Sequence, residues 1–345
     1  LQALLVSGVL ILLMSIPGYL YAGEILRLMG AEETAIATGI GYTRIMLGGC
    51  AVVVLLFLIN GIFRGAGNAS IAMRSLWLGN GLNIILCPVL INGIGPFPEM
   101  GIEGAAWATV CGRGLGVLYQ VYQLLFVPHD MIQIRNVSWK PDLTVIKNLL
   151  GISGPATLQF IIQSASWIFL AGIVAMGGSD ASAGYQTAIR LVVFFILPAW
   201  GMSNAAATLV GQNLGANEPK RAESSVIAIA KYNTWFMTFV MLFFLLGADL
   251  LISIFIPIET SAAYRIAVDA LRIISLGYIL YGIGMVLMQA FNGAGDTRTP
   301  TYISFIGFWL IQIPLAYLLA IHFQMGPHGA FIAVPSAEAL VALMY

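Results

Sequence analysis

The chain has few charged residues. Only 9% of its 345 residues are Asp, Glu, Lys or Arg, while 59% are hydrophobic. A soluble globular domain carries about 25% charged residues, so a chain this apolar is expected to reside in lipid. The 15 basic and 15 acidic residues cancel to a net charge of zero, and this balance gives no reason to expect a nucleic-acid partner.

Cysteine and histidine are also scarce, with three of each. The cysteines all lie within apolar runs, where they behave as small hydrophobic side chains and form neither a disulfide framework nor a metal site. The histidines lie in loops or at the edges of such runs, and none has the spacing of a zinc protease motif. We therefore expect no enzymatic activity, no resident metal and no cofactor.

Long apolar runs take up most of the sequence. In hydrocarbon each backbone amide must be satisfied within its own segment, so runs of about 20 apolar residues are expected to be helices. The sequence predicts an all-α integral membrane protein with ten spans. These are 1–22, 40–62, 72–92, 103–127, 145–176, 181–210, 224–247, 264–290, 300–322 and 329–345.

One phrase occurs twice. Phe-Arg-Gly-Ala-Gly-Asn at 63–68 returns as Phe-Asn-Gly-Ala-Gly-Asp at 291–296, displaced by 228 positions. Each copy lies between two apolar runs, and further matches keep the same displacement, which indicates a transporter built from two similar halves. The further matches are Arg44 with Arg272, Ile45 with Ile273, and Gly49 with Gly277.

The repeat predicts the domain organisation. Six crossings separate the two phrases, so the halves are parallel and related by an axis along the membrane normal. Two spans of the second half precede the region matching residue 1, so we expect two further helices before residue 1 and two pseudo-symmetric bundles of six in the intact protein. We assign 1–127 to an N-lobe, 128–144 to a cytoplasmic connector and 145–345 to a C-lobe.

Basic residues indicate the orientation. Eight of the fifteen Lys and Arg residues lie in alternate loops, whereas two lie in the other loops and five within spans. By the positive-inside rule, the two glycine phrases, the 211–223 loop and the connector are cytoplasmic. We expect a multi-pass protein of the cell's inner (plasma) membrane.

The glycine phrases have a structural interpretation. Glycine adopts positive φ and allows close helix approach, while Asn68 or Asp296 can cap the helix that follows. No Lys-Ser/Thr pair follows, so a phosphate-binding loop is not indicated.

Three phrases in this order resemble the multidrug and toxic compound extrusion (MATE) transporters. They are 64–68 with its echo at 293–297, 209–216 (Leu-Val-Gly-Gln-Asn-Leu-Gly-Ala) and 101–109 (Gly-Ile-Glu-Gly-Ala-Ala-Trp-Ala-Thr). The resemblance implies a V-shaped bundle that exports cationic, amphipathic drugs in exchange for Na⁺ or H⁺. It implies a small organic cation and membrane lipid as partners, and we expect a monomer.

The resemblance also implies a cation site in the N-lobe. In the family pattern an Asn, an Asp four residues later and a Thr on the next helix help to bind the ion; Asn83 and Thr109 match, but Cys87 stands where the Asp would be. A thiol is a poor ligand for Na⁺, which prefers oxygen. The alternative is that Asn83 only forms a hydrogen bond between helices.

Two acids lie inside the predicted spans of the second half. Asp269 has Arg265 four residues before it and Arg272 three after, so we expect an interfacial ion pair, with coupling as the alternative. Glu338 lies nine residues after Gly329, about 13 Å along the axis, with no basic neighbour in sequence.

At that depth Glu338 could carry a proton. Alternatively, it faces Arg113, Arg190 or a water-filled cavity for structural reasons. The resemblance also implies a carboxylate on the fourth C-lobe helix, where this chain has Tyr281.

Polar and aromatic side chains at helical spacing indicate an internal cavity, where aromatic rings attract organic cations. Ordinary helix packing is the alternative. The residues are Gln159, Gln163 and Trp167; Gln186 and Arg190; and Tyr278, Tyr281 and Met285.

We expect alternating-access antiport, with a lipid-linked oligosaccharide or lipid flippase of the same superfamily as the alternative. A flippase cavity should be strongly basic to hold a pyrophosphate, yet only Arg113, Arg190 and Lys231 lie in suitable spans. Cationic walls in the cavity would favour the flippase, whereas aromatic and acidic walls would favour the exporter.

Overall fold

A computed structural model describes residues 1–29, 31–127, 140–256 and 262–345. Contacts divide the chain into two compact units, Leu1–Leu149 and Leu150–Tyr345. Residues 128–139 of the predicted connector lie outside the described residues. The described chain consists of helices and the turns between them, which confirms the all-α prediction.

The first six helices belong to the first unit. They are α1 (Gln2–Leu20), α2 (Ala22–Leu28), α3 (Glu33–Gly48), α4 (Cys50–Gly65), α5 (Ala69–Asn92) and α6 (Gly101–Phe126).

The remaining helices form the second unit, apart from the first residues of α7. They are α7 (Leu143–Ala175), α8 (Ser179–Gly215), α9 (Pro219–Ser253), α10 (Ala262–Ser275), α11 (Tyr278–Gly293), α12 (Arg298–Ser304), α13 (Ile313–Tyr317) and α14 (Pro327–Met344). Two π-helical segments, π1 (Phe305–Gln312) and π2 (Leu318–His322), continue α12 and α13 without a break.

Each predicted span falls on a helix, but not every helix is strongly apolar. Within the described ranges, eight helices are long and apolar enough to cross a membrane, or nine if the bent pair α10 and α11 counts as one span. The predicted span 103–127 corresponds to α6, which is not among them, because its glycines, glutamines and Arg113 lower its hydropathy. By length and hydropathy alone, the described helices therefore give eight or nine spans, close to the predicted ten.

The sequence repeat is visible in the backbone. Gly49 separates α3 from α4, and Gly277, 228 positions later, separates α10 from α11. The helix axes bend by 54° at the second break. In the duplicated phrases Gly67 and Gly295 have φ of 85° and 86°, a left-handed conformation that favours glycine.

Equivalent hydrogen bonds close the two turns. The amide of Asn68 donates to the carbonyl of Phe63 (2.8 Å), and that of Asp296 donates to the carbonyl of Phe291 (3.1 Å). The turn after Gly215 has the same bonding pattern, and there Asn217 takes the positive φ of 60°. The end of α8 and the start of α9 are therefore joined by the same kind of turn as in the two phrases.

Both predicted caps are present. Asn68 Oδ1 accepts from the amide of Ile71 (3.3 Å), and Asp296 Oδ1 accepts from the amides of Arg298 and Thr299 (3.1 Å each). The Thr299 hydroxyl donates to Asp296 Oδ2 (2.6 Å). These hydrogen bonds hold the pKa of the Asp296 carboxyl below its usual value, and the bond from the Thr299 hydroxyl has the largest effect.

Glycines on α6 allow α5 and α6 to pack at close range. A Cβ atom on Gly112 would lie 2.6 Å from the carbonyl oxygen of Gly79, and one on Gly116 would lie 2.8 Å from that of Ser75. Small residues at such spacing let membrane helices approach backbone to backbone. The second unit instead has a large apolar core with buried Leu170, Phe244 and Phe331.

Candidate functional site

A small cavity inside the second unit contains a buried acid. Among the described residues of this unit, it is the one acidic side chain that is deeply buried. Glu338 is only 6% exposed and lies on α14. The cavity has a volume of about 10 Å³, which is room for at most about one water molecule. Its wall comprises Trp167, Val192, Ile196, Ile274, Gly277, Tyr278, Tyr281, Val334, Pro335 and Glu338.

The helix break at Gly277 shapes this cavity. Because α11 restarts at Tyr278, its first turn directs Tyr278 and Tyr281 to the cavity wall. Opposite them, α14 begins at Pro327, a residue suited to the first turn of a helix, and brings Pro335 and Glu338 to the same space.

The polar groups of the cavity have few partners. No hydrogen bond or ion pair is found for the Glu338 carboxyl within the described part of the chain, and the buried hydroxyl of Tyr278 also lacks a partner. Tyr281 and Tyr345 lie within electrostatic reach of Glu338. A buried carboxylate without a partner is costly, so this arrangement favours binding of a proton or a cation.

Gln312, which no sequence pattern singled out, occupies the position equivalent to Asn83 in the repeat. Beyond the glycine turn the displacement along α5 is 229, which relates Asn83 to Gln312. Gln312 is 1% exposed and its Oε1 has no hydrogen-bond partner in the structure. The amide of Asn83 thus corresponds to a buried amide in the second unit.

A glycine contact in each unit supports this register. Gly104 packs on the backbone of Leu90 and Ile91, and Gly329 packs in the same way on that of Leu319 and Ala320. The displacement is therefore 229 for the helix that contains Asn83 and 225 for the glycine that packs on it. A search for polar residues at a displacement one longer than 228 would have found Gln312.

The structure brings Asn83 and Thr109 together. Asn83 Nδ2 donates to Thr109 Oγ1 (3.2 Å), and the Thr109 hydroxyl donates to the carbonyl of Ala105 (2.9 Å). Cys87, one turn after Asn83, is a partly exposed free thiol. A Na⁺ site at Asn83 and Thr109 stays a prediction, and the hydrogen bond fits the structural alternative as well.

The prediction that Asp269 pairs with an arginine on its own helix is wrong. Asp269 Oδ2 bonds to Nε2 of His328 on α14 (2.9 Å), whereas Arg272 pairs with Asp249 on α9 (2.5 Å). Sequence spacing considered only neighbours on one helix, but α10 packs against both α9 and α14. Asp269 is nearly half exposed and lies outside the Glu338 cavity.

The predicted cavity residues divide into two groups. Trp167, Tyr278 and Tyr281 line the Glu338 cavity together. The others do not: Gln159 and Met285 are buried elsewhere, Gln163 donates to Ser304 Oγ (3.3 Å) and Met288 Sδ (3.4 Å), and Gln186 and Arg190 are exposed.

Comparisons with known proteins agree with this architecture. The MatE family model matches residues 1–89 and 155–318. The probable multidrug resistance protein YoeA of Bacillus subtilis is 28% identical over 96% of this chain and 72% of its own length. The probable multidrug resistance protein NorM of Thermotoga maritima is 29% identical over 85% of this chain, and the match spans 62% of that relative.

A solved structure is similar across nearly the whole chain. A MOP superfamily transporter from Pyrococcus furiosus, described as having a binding pocket of reverse polarity, superimposes with a TM-score of 0.91 and 26% identity. The match covers 99% of this chain and 75% of that structure.

Proposed function

The chain belongs to the MatE family of multi-pass membrane transporters, and on that premise we propose that it is a secondary active antiporter of the inner membrane. It exports organic cations or related drugs in exchange for Na⁺ or H⁺. Its relatives named as multidrug resistance proteins support this substrate class. The lobes are 1–127 and 145–345, joined by 128–144, and the exporter works as a monomer.

The unpaired Glu338 carboxyl carries the proposal. Its cavity wall holds Trp167, Tyr278 and Tyr281 and has no basic side chain among its lining residues. An aromatic wall with one acid attracts a cation, since ring faces and carboxylate both favour positive charge.

Coupling follows from ion binding at Glu338. When Glu338 is ionised, the cavity attracts a proton or Na⁺, but it is too small to hold an organic cation, so the drug binds elsewhere. Ion and drug then favour different states of the transporter, which is the condition for exchange. Asn83 and Thr109 form a second, weaker candidate for Na⁺ in the N-lobe.

The flippase alternative has one observation in its favour. The similar Pyrococcus furiosus transporter is described as having a binding pocket of reverse polarity, which suggests a different function for that protein. In this chain Arg190 and Lys231 are exposed and neither lines the Glu338 cavity. The aromatic and acidic wall therefore supports the exporter.

Transport in proteoliposomes tests the proposal. The full-length protein is reconstituted with a fluorescent organic cation, and either a Na⁺ or a pH gradient is imposed. We expect one gradient to drive uptake against the dye concentration, and the effective gradient identifies the coupling ion. If dye uptake depends on neither gradient and the protein moves a lipid-linked oligosaccharide across the bilayer, the flippase function would be supported instead.

A further inference from the structure

Helix α9 is much longer than a membrane is thick. Its 35 residues extend about 52 Å, whereas the hydrocarbon core measures about 30 Å. Lys231 and Asp249 are 18 residues apart, about 27 Å, so these two charged residues match the two boundaries of the core. Because the turn between α8 and α9, at 216–218, is assigned to the cytoplasm, Lys231 lies at the cytoplasmic boundary and the residues before it lie at headgroup level.

One face of α9 around Lys231 is exposed. A surface groove of about 410 Å³ runs along it. The groove residues recur at helical spacing and all are exposed, so they form one continuous stripe. They are Ser224, Ile227, Ala228, Lys231, Tyr232 and Trp235.

The opposite face of α9 packs into the protein. Asn233 is fully buried and donates to Ser203 Oγ (3.3 Å) and to the Gly282 carbonyl (2.9 Å). Met237 and Phe244 are buried as well. These contacts fix the rotation of α9, so the Lys231 stripe is held facing outward.

We propose that the Lys231 groove binds the headgroup of an anionic phospholipid in the cytoplasmic leaflet. The Lys231 ammonium contacts the lipid phosphate, and no hydrogen bond or ion pair engages it within the residues described. Trp235 is 78% exposed and Tyr232 71% exposed, which suits rings that lie at the boundary between headgroups and acyl chains.

The rest of the helix fits the same orientation. Toward the membrane centre the stripe continues with exposed Phe239, Leu242 and Leu246, which contact the acyl chains. Toward the cytoplasm the first turn of α9 adds Lys220 and Arg221, although Glu218 and Glu223 offset their charge there. Lys231 lies at the cytoplasmic boundary of the hydrocarbon core and is therefore the basic residue of this stripe closest to the lipid phosphate.

Lipid titration of the full-length protein in detergent tests this site. Phosphatidylglycerol is compared with phosphatidylcholine, and bound lipid is counted by native mass spectrometry while thermal stability is followed in parallel. We expect phosphatidylglycerol to bind and stabilise the wild type, and Lys231→Gln to weaken its apparent affinity about five-fold. The effect should shrink at high ionic strength.

Two variants and one ligand serve as controls. Lys231→Arg should keep the affinity, and Lys220→Gln, which removes a lysine outside the groove, should change it by less than Lys231→Gln. Equal binding of the two lipids, equal loss in both Gln variants, or the same stabilisation by inorganic phosphate alone would overturn the proposal.

Discussion

Gly277 and Pro335 pack so closely that a Cβ atom on Gly277 would lie 2.6 Å from the Cβ of Pro335. Gly277 is the point at which α10 and α11 bend, and Pro335 lies one turn before Glu338 on α14. Both line the cavity. The bend of one helix and the position of the buried acid are therefore linked by a single contact.

Gly277→Ala should disturb this contact. The added methyl group has no room unless α14 shifts, and overpacking of this kind costs about 1–3 kcal/mol. We expect a lower thermal unfolding temperature in detergent and slower drug transport. Gly201→Ala is the matched control, because nothing lies within 4 Å of a Cβ atom there. A Gly277→Ala protein as stable and active as Gly201→Ala would contradict the account.

The paired caps should contribute similar stability. Asn68→Ala and Asp296→Ala each remove a side-chain acceptor at a helix start, so each should cost about 0.5–2 kcal/mol at pH 7. Thermal unfolding of the two variants in the same detergent measures this. A loss in one half only would argue that the turns are not equivalent.

Only the Asp296 cap should depend on pH. Its folded-state pKa is lowered from 3.8, mainly by the Thr299 hydroxyl, so ionised Asp296 stabilises the fold above that value. This contribution is lost as pH falls through the folded-state pKa, below 3.8. The stability difference between wild type and Asp296→Asn should therefore shrink over that acidic window, whereas the Asn68→Ala difference should stay constant.

Asp269 and His328 should show a measurable but small coupling. The pair joins α10 to α14, yet the side chains are 46% and 40% exposed, so solvent screens the interaction. A double-mutant cycle with Asp269→Asn and His328→Gln should give a coupling of about 0.2–1 kcal/mol in unfolding free energy. Additive losses would indicate that the pair contributes nothing.

Local features of this fold could be read from the sequence, whereas partners across helices could not. Two such features depend only on residues within one turn: the positive φ of Gly67 and Gly295, and the caps at Asn68 and Asp296. Both occur in each copy of the duplicated phrase. The partner of Asp269 is 59 positions away on another helix, and spacing along one helix offers no information about it.

The site was predicted in part for the same reason. Glu338 stands out because an acidic residue is unusual inside an apolar span, whereas Trp167 and Tyr281 were found from their helical spacing with other polar and aromatic residues. These three side chains line one cavity because the chain bends at Gly277. In the sequence Gly277 is visible only as the repeat of Gly49, and the bend itself cannot be predicted from it. Gln312 was missed because a single glutamine in an apolar run resembles ordinary helix packing, and only the repeat gives it meaning.

Glu338 is the residue to which ion coupling is assigned, and ion-coupled transport by a Glu338→Gln protein tests this assignment most directly. Gln keeps the size of the side chain but cannot ionise, so we predict that gradient-driven accumulation of the organic cation falls at least ten-fold while the protein stays folded. Glu223→Gln, at an exposed acid on α9, should transport like wild type. Undiminished, gradient-dependent accumulation by Glu338→Gln would contradict the assignment of coupling to this cavity.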